Sequence, residues 1–365
     1  NPEQFKIIAL GIVGSIDFTS NRKMEIIDKK TGKLTGKFTL NAKGTLYRLH
    51  KPGEKKYPAF KDVKNGKLYS SIYARVIIKN KNLPLMKVEE MDKLPPLTYE
   101  DGEYVFHNGK GFKPIQYKDF LKYTGLMYGT IWSIGCPLHC TFCANTKFIE
   151  YDNAYRRLRH SSPRTIVDEI KRAISKRPHI SVIVFHDDSF LGLRYEVLEQ
   201  LCKLYKEEVK IPFAVYGVIP TYVREDKIAL LVDAGMNRVR MGIQSGSDNI
   251  LEFYKRPTKL HRIKEATETL NKFKKYMIPP SYDIILENPI ETPEDTRATA
   301  DMLYEMPRPY TLNIYALRII PNTTMAKDIE DRGLKIPLID KNYFIDYHRT
   351  LGNCLVFALT FWKMP

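Results

Sequence analysis

The sequence predicts an α/β protein: a partial (β/α)6 barrel preceded by a small β-containing domain. Two patterns carry this expectation. From Thr130 onward six apolar, strand-like segments alternate with amphipathic, helix-like ones, whereas the first 85 residues show short strand-like runs broken by turn residues. A length of 365 residues, 43% hydrophobic, suffices for one large domain and a smaller one. Six βα repeats are too few for a closed eight-stranded barrel.

The elements follow in order. In the N-terminal domain, residues 1–85, the segments 38–40 and 45–49 flank an Asn-Ala-Lys-Gly turn, and 68–78 is rich in Tyr, Ile and Val. Residues 86–128 read as a linker, with Leu94-Pro95-Pro96, acidic residues at 100–103 and glycines at 109 and 111. The barrel occupies 129–332, with strands expected at 130–134, 180–186, 212–218, 237–243, 281–287 and 311–319. Helices are expected at Pro163–Lys176 behind Ser161 and Ser162, at 195–209, at 225–234 ended by Gly235, at 260–276, and at Pro293–Glu305 capped by Thr292. Residues 333–365 form a C-terminal extension. In barrels of this kind the chemistry gathers at the C-terminal ends of the strands.

Composition narrows the function classes. No run approaches the ~18 consecutive apolar residues of a membrane span, and the stretches at 7–13 and 351–362 are too short or too interrupted. The formal net charge is +16, and residues 1–129 hold 24 of the 58 basic side chains against 13 of the 42 acidic ones. Such a surface attracts RNA, anionic lipid or a phosphorylated metabolite, or serves only as a lysine-coated solubility surface. Five cysteines, three of them within eight residues, do not make a secreted disulfide framework, so a reducing cytosol is expected. The chain starts at Asn1 rather than Met, which leaves an upstream segment open.

Cys136, Cys140 and Cys143 follow the first barrel strand, where a reactive centre belongs. Thiolates so spaced can wrap one iron–sulfur cube with three of its four ligands, leaving one iron open to a bidentate small ligand. Phe142 would shield such a cluster from water and help set its potential. The alternative is a structural zinc knuckle with His139 as fourth ligand. It is disfavoured because His139 adjoins Cys140, whereas closed zinc sites usually pair two separated ligand pairs.

Cys-x3-Cys-x2-Cys with an aromatic residue before the last cysteine, after the first strand of a six-fold βα unit, resembles the radical S-adenosylmethionine superfamily over roughly residues 94–332. The resemblance implies a TIM-like partial barrel, a [4Fe-4S] cluster on Cys136, Cys140 and Cys143, and S-adenosylmethionine chelated at the open iron. His186-Asp187-Asp188-Ser189-Phe190 closes the second strand, where most members carry Gly-Gly-Glu for the amino group of the methionine moiety. Its Asp-Asp-x-Phe form is similar to the subclass with an upstream cobalamin-binding domain. Asp187 and Asp188 are therefore both candidates for holding the cofactor, the alternative being a helix cap.

On the fourth strand Arg238, Arg240, Gly242 and Gln244 share one face, and Val239, Met241 and Ile243 the other. The apolar face must meet the helices, so both arginines point into the barrel and need an anion there: a nearby carboxylate, the S-adenosylmethionine carboxylate or an acidic substrate group. The segment 242–247 resembles the one that contacts the ribose and methionine parts, which makes Gln244 and Ser245 cofactor candidates. Residues 283–292 resemble the fifth-strand motif that flanks adenine, with Ile285 at its centre and Glu287 where glycine is usual. Asp283 and Glu287 would set two carboxylates beside the arginines. Either an interior ion-pair network or a catalytic set of Arg240, Asp283, Glu287 and Tyr315 results. Tyr315 and Tyr216 are candidates for lining the cavity, ordinary core being the alternative, and Pro321-Asn322-Thr323 resembles the turn after the sixth strand.

No cysteine precedes Cys136 and only Cys354 lies in the tail, so the additional clusters of methylthiotransferases and peptide maturases are not expected. Leu94-Pro95-Pro96 looks like the linker behind cobalamin-binding domains, while residues 1–85 lack Asp-x-His-x-x-Gly: at His50-x-x-Gly53, Arg48 replaces the acid. The N-terminal domain is thus read as a divergent or incomplete cobalamin region. The cobalamin domain is lost, lies upstream, or binds without a histidine ligand.

The reading that follows is a radical enzyme that reductively cleaves S-adenosylmethionine to a 5′-deoxyadenosyl radical and modifies an unactivated carbon. With cobalamin the outcome is methyl transfer; without it, cyclisation, coupling or rearrangement. An electron donor such as flavodoxin or ferredoxin is implied. The substrate class stays open between RNA docked on the basic N-terminal third, a lipid reached with the apolar tail 355–362 at the inner face of a membrane, and a small molecule. A rival from another class is a zinc-stabilised nucleic-acid-binding protein whose barrel is only a scaffold.

Overall fold

Apolar side chains on one face of each barrel strand drive six segments of this chain together as a single parallel sheet. A computed structural model describes residues 12–27, 34–49 and 74–76 as strands, and residues 85–95, 104–107, 111–320, 323–334 and 348–362. The chain divides into two compact units, Asn1–Leu83 and Pro84–Pro365.

The first unit contains β1 (Ile12–Ile27), β2 (Leu34–Leu49) and β3 (Ala74–Val76). β1 and β2 pair antiparallel with Asp17 opposite Thr45, and β3 adds antiparallel to β2. The turn expected at Asn41-Ala-Lys-Gly is absent: β2 runs straight through it, with Asn41 opposite Asn21 and Gly44 opposite Phe18. A continuous ladder of cross-strand backbone bonds outweighs local turn propensity there. Of the expected strand 68–78 only Ala74–Val76 is described, and the His50–Gly53 candidate lies outside the described residues.

The second unit opens with α1 (Val88–Met91), the hairpin of β4 (Tyr104–His107) and β5 (Gly111–Pro114), and α2 (Tyr117–Thr124). The sheet begins at β6 (Met127–Thr130), which is followed by β7 (Ser133–Ile134), α3 (Asn145–Tyr151), β8 (Arg159–His160) and α4 (Pro163–Lys176). Then come β9 (Val182–Phe185), α5 (Tyr195–Glu208), β10 (Phe213–Val218), α6 (Glu225–Asp233) and β11 (Met236–Gln244). The chain continues through α7 (Asp248–Phe253), α8 (Leu260–Lys272), β12 (Ser281–Leu286), α9 (Pro293–Glu305) and β13 (Thr311–Ala316) to α10 (Thr324–Asp331) and α11 (Leu351–Trp362). β6, β9, β10, β11, β12 and β13 lie side by side in sequence order, parallel throughout, with a helical connection after each. This is the predicted α/β partial barrel.

Its first strand differs from expectation. The apolar run 130–134 is split: the sheet takes 127–130, and Ser133–Ile134 leaves to pair antiparallel with Arg159–His160. Elsewhere the pattern holds. Val239, Met241 and Ile243 of β11 are fully buried against the helices, while Arg238, Arg240, Gly242 and Gln244 alternate onto the other face. Burial of side chains such as Ile183, Phe185, Leu198, Ile284 and Leu303 contributes ~1.5–3 kcal/mol each.

Caps fix the helix starts. At α4 the Ser162 side chain accepts from Thr165 N, and Asp92, beyond the end of α1, accepts from Ser162 N at 2.6 Å and Thr165 Oγ1 at 2.8 Å. At α9 Thr292 and Asp295 form a reciprocal capping box. α11 packs on α9 through Val356, fully buried, and Gly352, where an added Cβ would come within 2.8 Å of Thr296 Cγ2. Leu351, Phe361 and Trp362 remain exposed, and among the described residues no helix is long and apolar enough to cross a membrane.

Candidate active site at the strand ends

The three cysteines leave the sheet on a loop that is fixed at several points. Gly135 sits at φ +111, and a Cβ there would fall 2.5 Å from Arg157 O and 2.7 Å from Tyr155 O, so only glycine lets the backbones approach. Cys136 N donates to Tyr155 O at 3.2 Å. Further on, Thr141 is stapled on both sides: its N–H donates to Tyr254 O (2.9 Å), its hydroxyl to Phe253 O (3.0 Å), and its carbonyl accepts from Met325 N (3.1 Å) at the start of α10. Phe142 stands edge-on to Tyr254 with ring centroids 5.0 Å apart, and it joins Ile285 on the apolar cluster of Ile250, Leu317, Ile319 and Met325.

Cys136 and Cys140 are buried and Cys143 is half-buried. Burial pushes the Cys136 thiol up to about 12 and raises that of Cys143, a cost that a bound metal cation would offset. Among the described residues no three His, Cys, Asp or Glu side chains gather closely enough to share one metal ion. Three thiols on one short loop supply three of the four ligands that an iron–sulfur cube takes. The donor set therefore fits an iron–sulfur cluster.

The acidic pair at the end of β9 divides its labour. Asp187 is 1% exposed and accepts from Trp132 N (2.9 Å), Ser133 N (2.7 Å) and Ser133 Oγ (2.5 Å). Burial pushes its carboxyl up to about 6 despite these donors. It braces the segment leading into the cysteine loop and, at 1% exposure, presents no open face to a cofactor, which corrects the expectation for this residue. Asp188 is exposed on the other side, and its charge acts on Cys136, Cys143 and Tyr155. Gly217 at φ +66 permits the fit, since a Cβ there would fall 1.8 Å from Asp187 O. The buried Lys227 Nζ donates to Leu191 O (2.7 Å) and Leu193 O (2.6 Å), tying the turn after Asp188 to α6.

Inside the barrel Arg240 finds its anion in Asp283, with Nε at 2.8 and 3.0 Å from the two carboxylate oxygens, and its Nη2 reaches Tyr315 OH at 2.5 Å. Asn313 adds a second donor to Asp283 at 2.7 Å. The guanidinium lies 5.6 Å from the Tyr216 ring and 5.7 Å from that of Tyr315. Tyr216 stands edge-on to His186 at 5.1 Å, and burial, with Arg240 second, lowers the His186 pKa and favours a neutral imidazole. Of the four alternating residues on β11, Gln244 sits at φ +78 with its amide folded over Gly242, where a Cβ would lie 2.3 Å from Nε2.

Two other candidates move out of the site. Ser245 is fully buried, its Oγ shared with Thr299 Oγ1 (3.2 Å) and Ser247 N (3.1 Å), so it fastens β11 to α9. Glu287 is not beside the arginines. Its backbone is left-handed at φ +63, which is the physical reason a glycine suits this position, and its carboxylate accepts from His348 N (2.8 Å), Asn353 Nδ2 (2.7 Å) and the His348 imidazole. Ile285 packs beside Phe142 as described, and Pro321-Asn322 lies outside the described residues.

Sequence reading missed His186, Asn313 and above all Arg256. The buried Arg256 guanidinium donates from Nη1 to Cys140 Sγ at 3.6 Å and from Nη2 to Gly242 O at 2.5 Å. Alternation would have flagged Asn313, two residues before Tyr315 on the same strand face. Nothing local marks Arg256, which is 116 residues from Cys140.

The Glu287 clasp has a testable consequence. Glu287 raises the His348 pKa, so its contribution is fully present below the ordinary histidine range and is lost as pH rises through the raised value. Glu287→Gly should remove the backbone cost yet release α11. Hydrogen exchange corrected for intrinsic rates should show protection of 351–362 lost in the variant and reduced at high pH in the parent, with the barrel strands unaffected. Equal protection in both proteins would contradict the clasp.

Comparison with known proteins agrees with this geometry. Residues 130–303 match the model of the Radical SAM superfamily. The chain is 26% identical over 183 residues to an uncharacterized methyltransferase of Pyrococcus horikoshii, covering 50% of this chain and 38% of the relative. It is 31% identical over 133 residues to cytidylyl-2-hydroxyethylphosphonate methyltransferase of Streptomyces wedmorensis, covering 36% of this chain and 23% of the relative. The solved structure of the cobalamin-dependent S-adenosylmethionine radical enzyme OxsB, with aqua-cobalamin and S-adenosylmethionine bound, shares the fold with a TM-score of 0.50 at 15% identity, over 66% of this chain and 43% of that chain. The chain thus spans less than half the length of each of these three proteins. The match to the Radical SAM superfamily, from Thr130 to Leu303, takes in the cysteine loop after β6 and the Asp-Asp segment after β9.

Proposed function

We propose that the protein is a radical S-adenosylmethionine enzyme that transfers a methyl group to carbon, with a [4Fe-4S] cluster held by Cys136, Cys140 and Cys143. The observation that carries this reading is the stapled, largely buried cysteine loop at the mouth of a parallel barrel, with a guanidinium against one sulfur and the exposed Asp188 carboxylate acting on the other two. A bound cluster supplies one electron for reductive cleavage of the C–S bond of S-adenosylmethionine.

The chain's own residues bind and orient. Asp188 takes the ammonium of the methionine moiety, and Gln244, folded over Gly242, borders the same space. Phe142 and Ile285, packed on one apolar cluster, exclude water on the adenine side. Deeper in, the Arg240–Asp283–Tyr315 network with Asn313 and Tyr216 forms a fixed polar floor against which substrate is positioned. This is the interior ion-pair alternative put to use: Arg240, already neutralised by Asp283, orients substrate through Tyr315 and leaves the cofactor carboxylate to other donors.

Methyl transfer draws its support from the two curated relatives, both named methyltransferases, and cobalamin from the name of OxsB. The described strands of the first unit pair antiparallel and do not fit the doubly wound parallel sheet expected of a corrin-binding domain. Cobalamin is accordingly proposed for the whole protein and not for these strands. Lipid, RNA and small molecule remain the substrate classes to test, and flavodoxin or ferredoxin the class of electron donor.

Anaerobic reconstitution followed by metal and sulfide analysis tests the reading. We expect about four iron and four sulfide per chain, lost in Cys140→Ala; a colourless protein holding one zinc would contradict it and favour the nucleic-acid-binding scaffold. Equilibrium dialysis with S-adenosylmethionine tests the acidic pair. Asp188→Asn should weaken binding about tenfold or more, the worth of one charge-assisted hydrogen bond, at an unchanged melting temperature. Asp187→Asn should instead lower the melting temperature, because an amide cannot accept all three donors.

A further inference from the structure

Arg256 is the one described guanidinium that meets a cysteine of the loop, and its surroundings pose a charge problem. It is 8% exposed, its Nε is buried without a hydrogen-bond partner, and no carboxylate pairs with it among the described residues. Arginine does not give up its proton, and a buried, unpaired cation is costly. The groups within its reach are Cys140 Sγ at 3.6 Å, whose anionic form would balance it, and the neutral Gly242 carbonyl at 2.5 Å.

The backbone is shaped to aim this side chain. α7 ends in a paired closure: Lys255 N donates to Glu252 O (2.8 Å) and Arg256 N to Leu251 O (2.9 Å), with Lys255 left-handed at φ +48. A lysine pays ~1 kcal/mol to sit where glycine would be unstrained. Pro257 then blocks any continuation of the helix. On the opposite side Gly242 offers its carbonyl to Nη2, and its lack of a side chain leaves room for the Gln244 amide, whose Nε2 a Cβ would meet at 2.3 Å. Helix end, strand and cysteine loop thus converge on one guanidinium.

Resting on the reading that the three cysteines hold an iron–sulfur cluster, we infer that Arg256 is a positioning residue that sets the cluster's redox potential. It donates an N–H···S bond to the Cys140 thiolate and places a fixed positive charge against the cluster. The reduced cluster carries one more negative charge than the oxidised one, so the guanidinium favours the reduced form and makes one-electron reduction by an external donor easier.

The test is a redox titration of the full chain after anaerobic reconstitution, followed by electron paramagnetic resonance with dithionite as reductant, alongside iron analysis. In Arg256→Met the cluster should load with iron as in the parent, while its midpoint potential moves to a more negative value. Arg256→Gln, which keeps a donor for Gly242 O and removes the charge, should move it in the same direction, and Arg256→Lys should fall between Met and the parent. Parent-like potentials in both uncharged variants would overturn the inference. So would a loss of iron in Arg256→Met and Arg256→Gln with the loaded remainder at the parent potential, since Arg256 would then only brace β11. A parent chain that takes up no iron would overturn the cluster reading itself, a result distinct from an unshifted potential.

Discussion

A single buried carboxylate decides where this molecule can do chemistry. Asp187, sealed at the end of β9, collects the N–H groups of Trp132 and Ser133 and the Ser133 hydroxyl, all from the segment that has just left β6. Without that acceptor, residues 131–134 would have every reason to continue the sheet, being apolar and strand-like. With it, the chain turns off at Thr130 and delivers the cysteines to the mouth of the barrel. The constraint propagates: Gly217 must lack a side chain so that β10 can pass the Asp187 carbonyl, and Lys227 must be buried to hold the turn behind Asp188.

The site is layered by charge. At the mouth stand Asp188, the cysteine loop and Arg256; lower down, Arg240 and Asp283 neutralise each other at 2.8 Å and hold Tyr315. Arg256, 8% exposed, faces sulfur and Arg240 faces a carboxylate, so the unbalanced positive charge lies where an iron–sulfur cluster would bring negative charge. His186, favoured neutral, and the rings of Tyr216 and Tyr315 line the space between with groups that add little net charge.

Much of this was legible in the sequence because it rests on periodicity. Alternation along β11 separated Arg240 from Val239 and Met241, and the caps at Ser162 and Thr292 fixed the starts of α4 and α9. What was not legible depends on partners far away in the chain. Asp187 and Asp188 are equivalent by type and differ only in which way each faces, and Glu287 looked like an interior carboxylate until His348 and Asn353 of the C-terminal extension claimed it. The missing turn at 41–44 was a local signal outvoted by cross-strand pairing, and Arg256 gave no local signal at all.

The central claim is that the cysteine loop of this barrel supports reductive cleavage of S-adenosylmethionine. The most direct measurement is chromatographic detection of 5′-deoxyadenosine after anaerobic incubation of the reconstituted full chain with S-adenosylmethionine and dithionite. The account predicts 5′-deoxyadenosine that depends on both the protein and the reductant and is abolished when Cys140 is replaced by Ala. A fully iron-loaded protein that binds S-adenosylmethionine and forms no 5′-deoxyadenosine would contradict it.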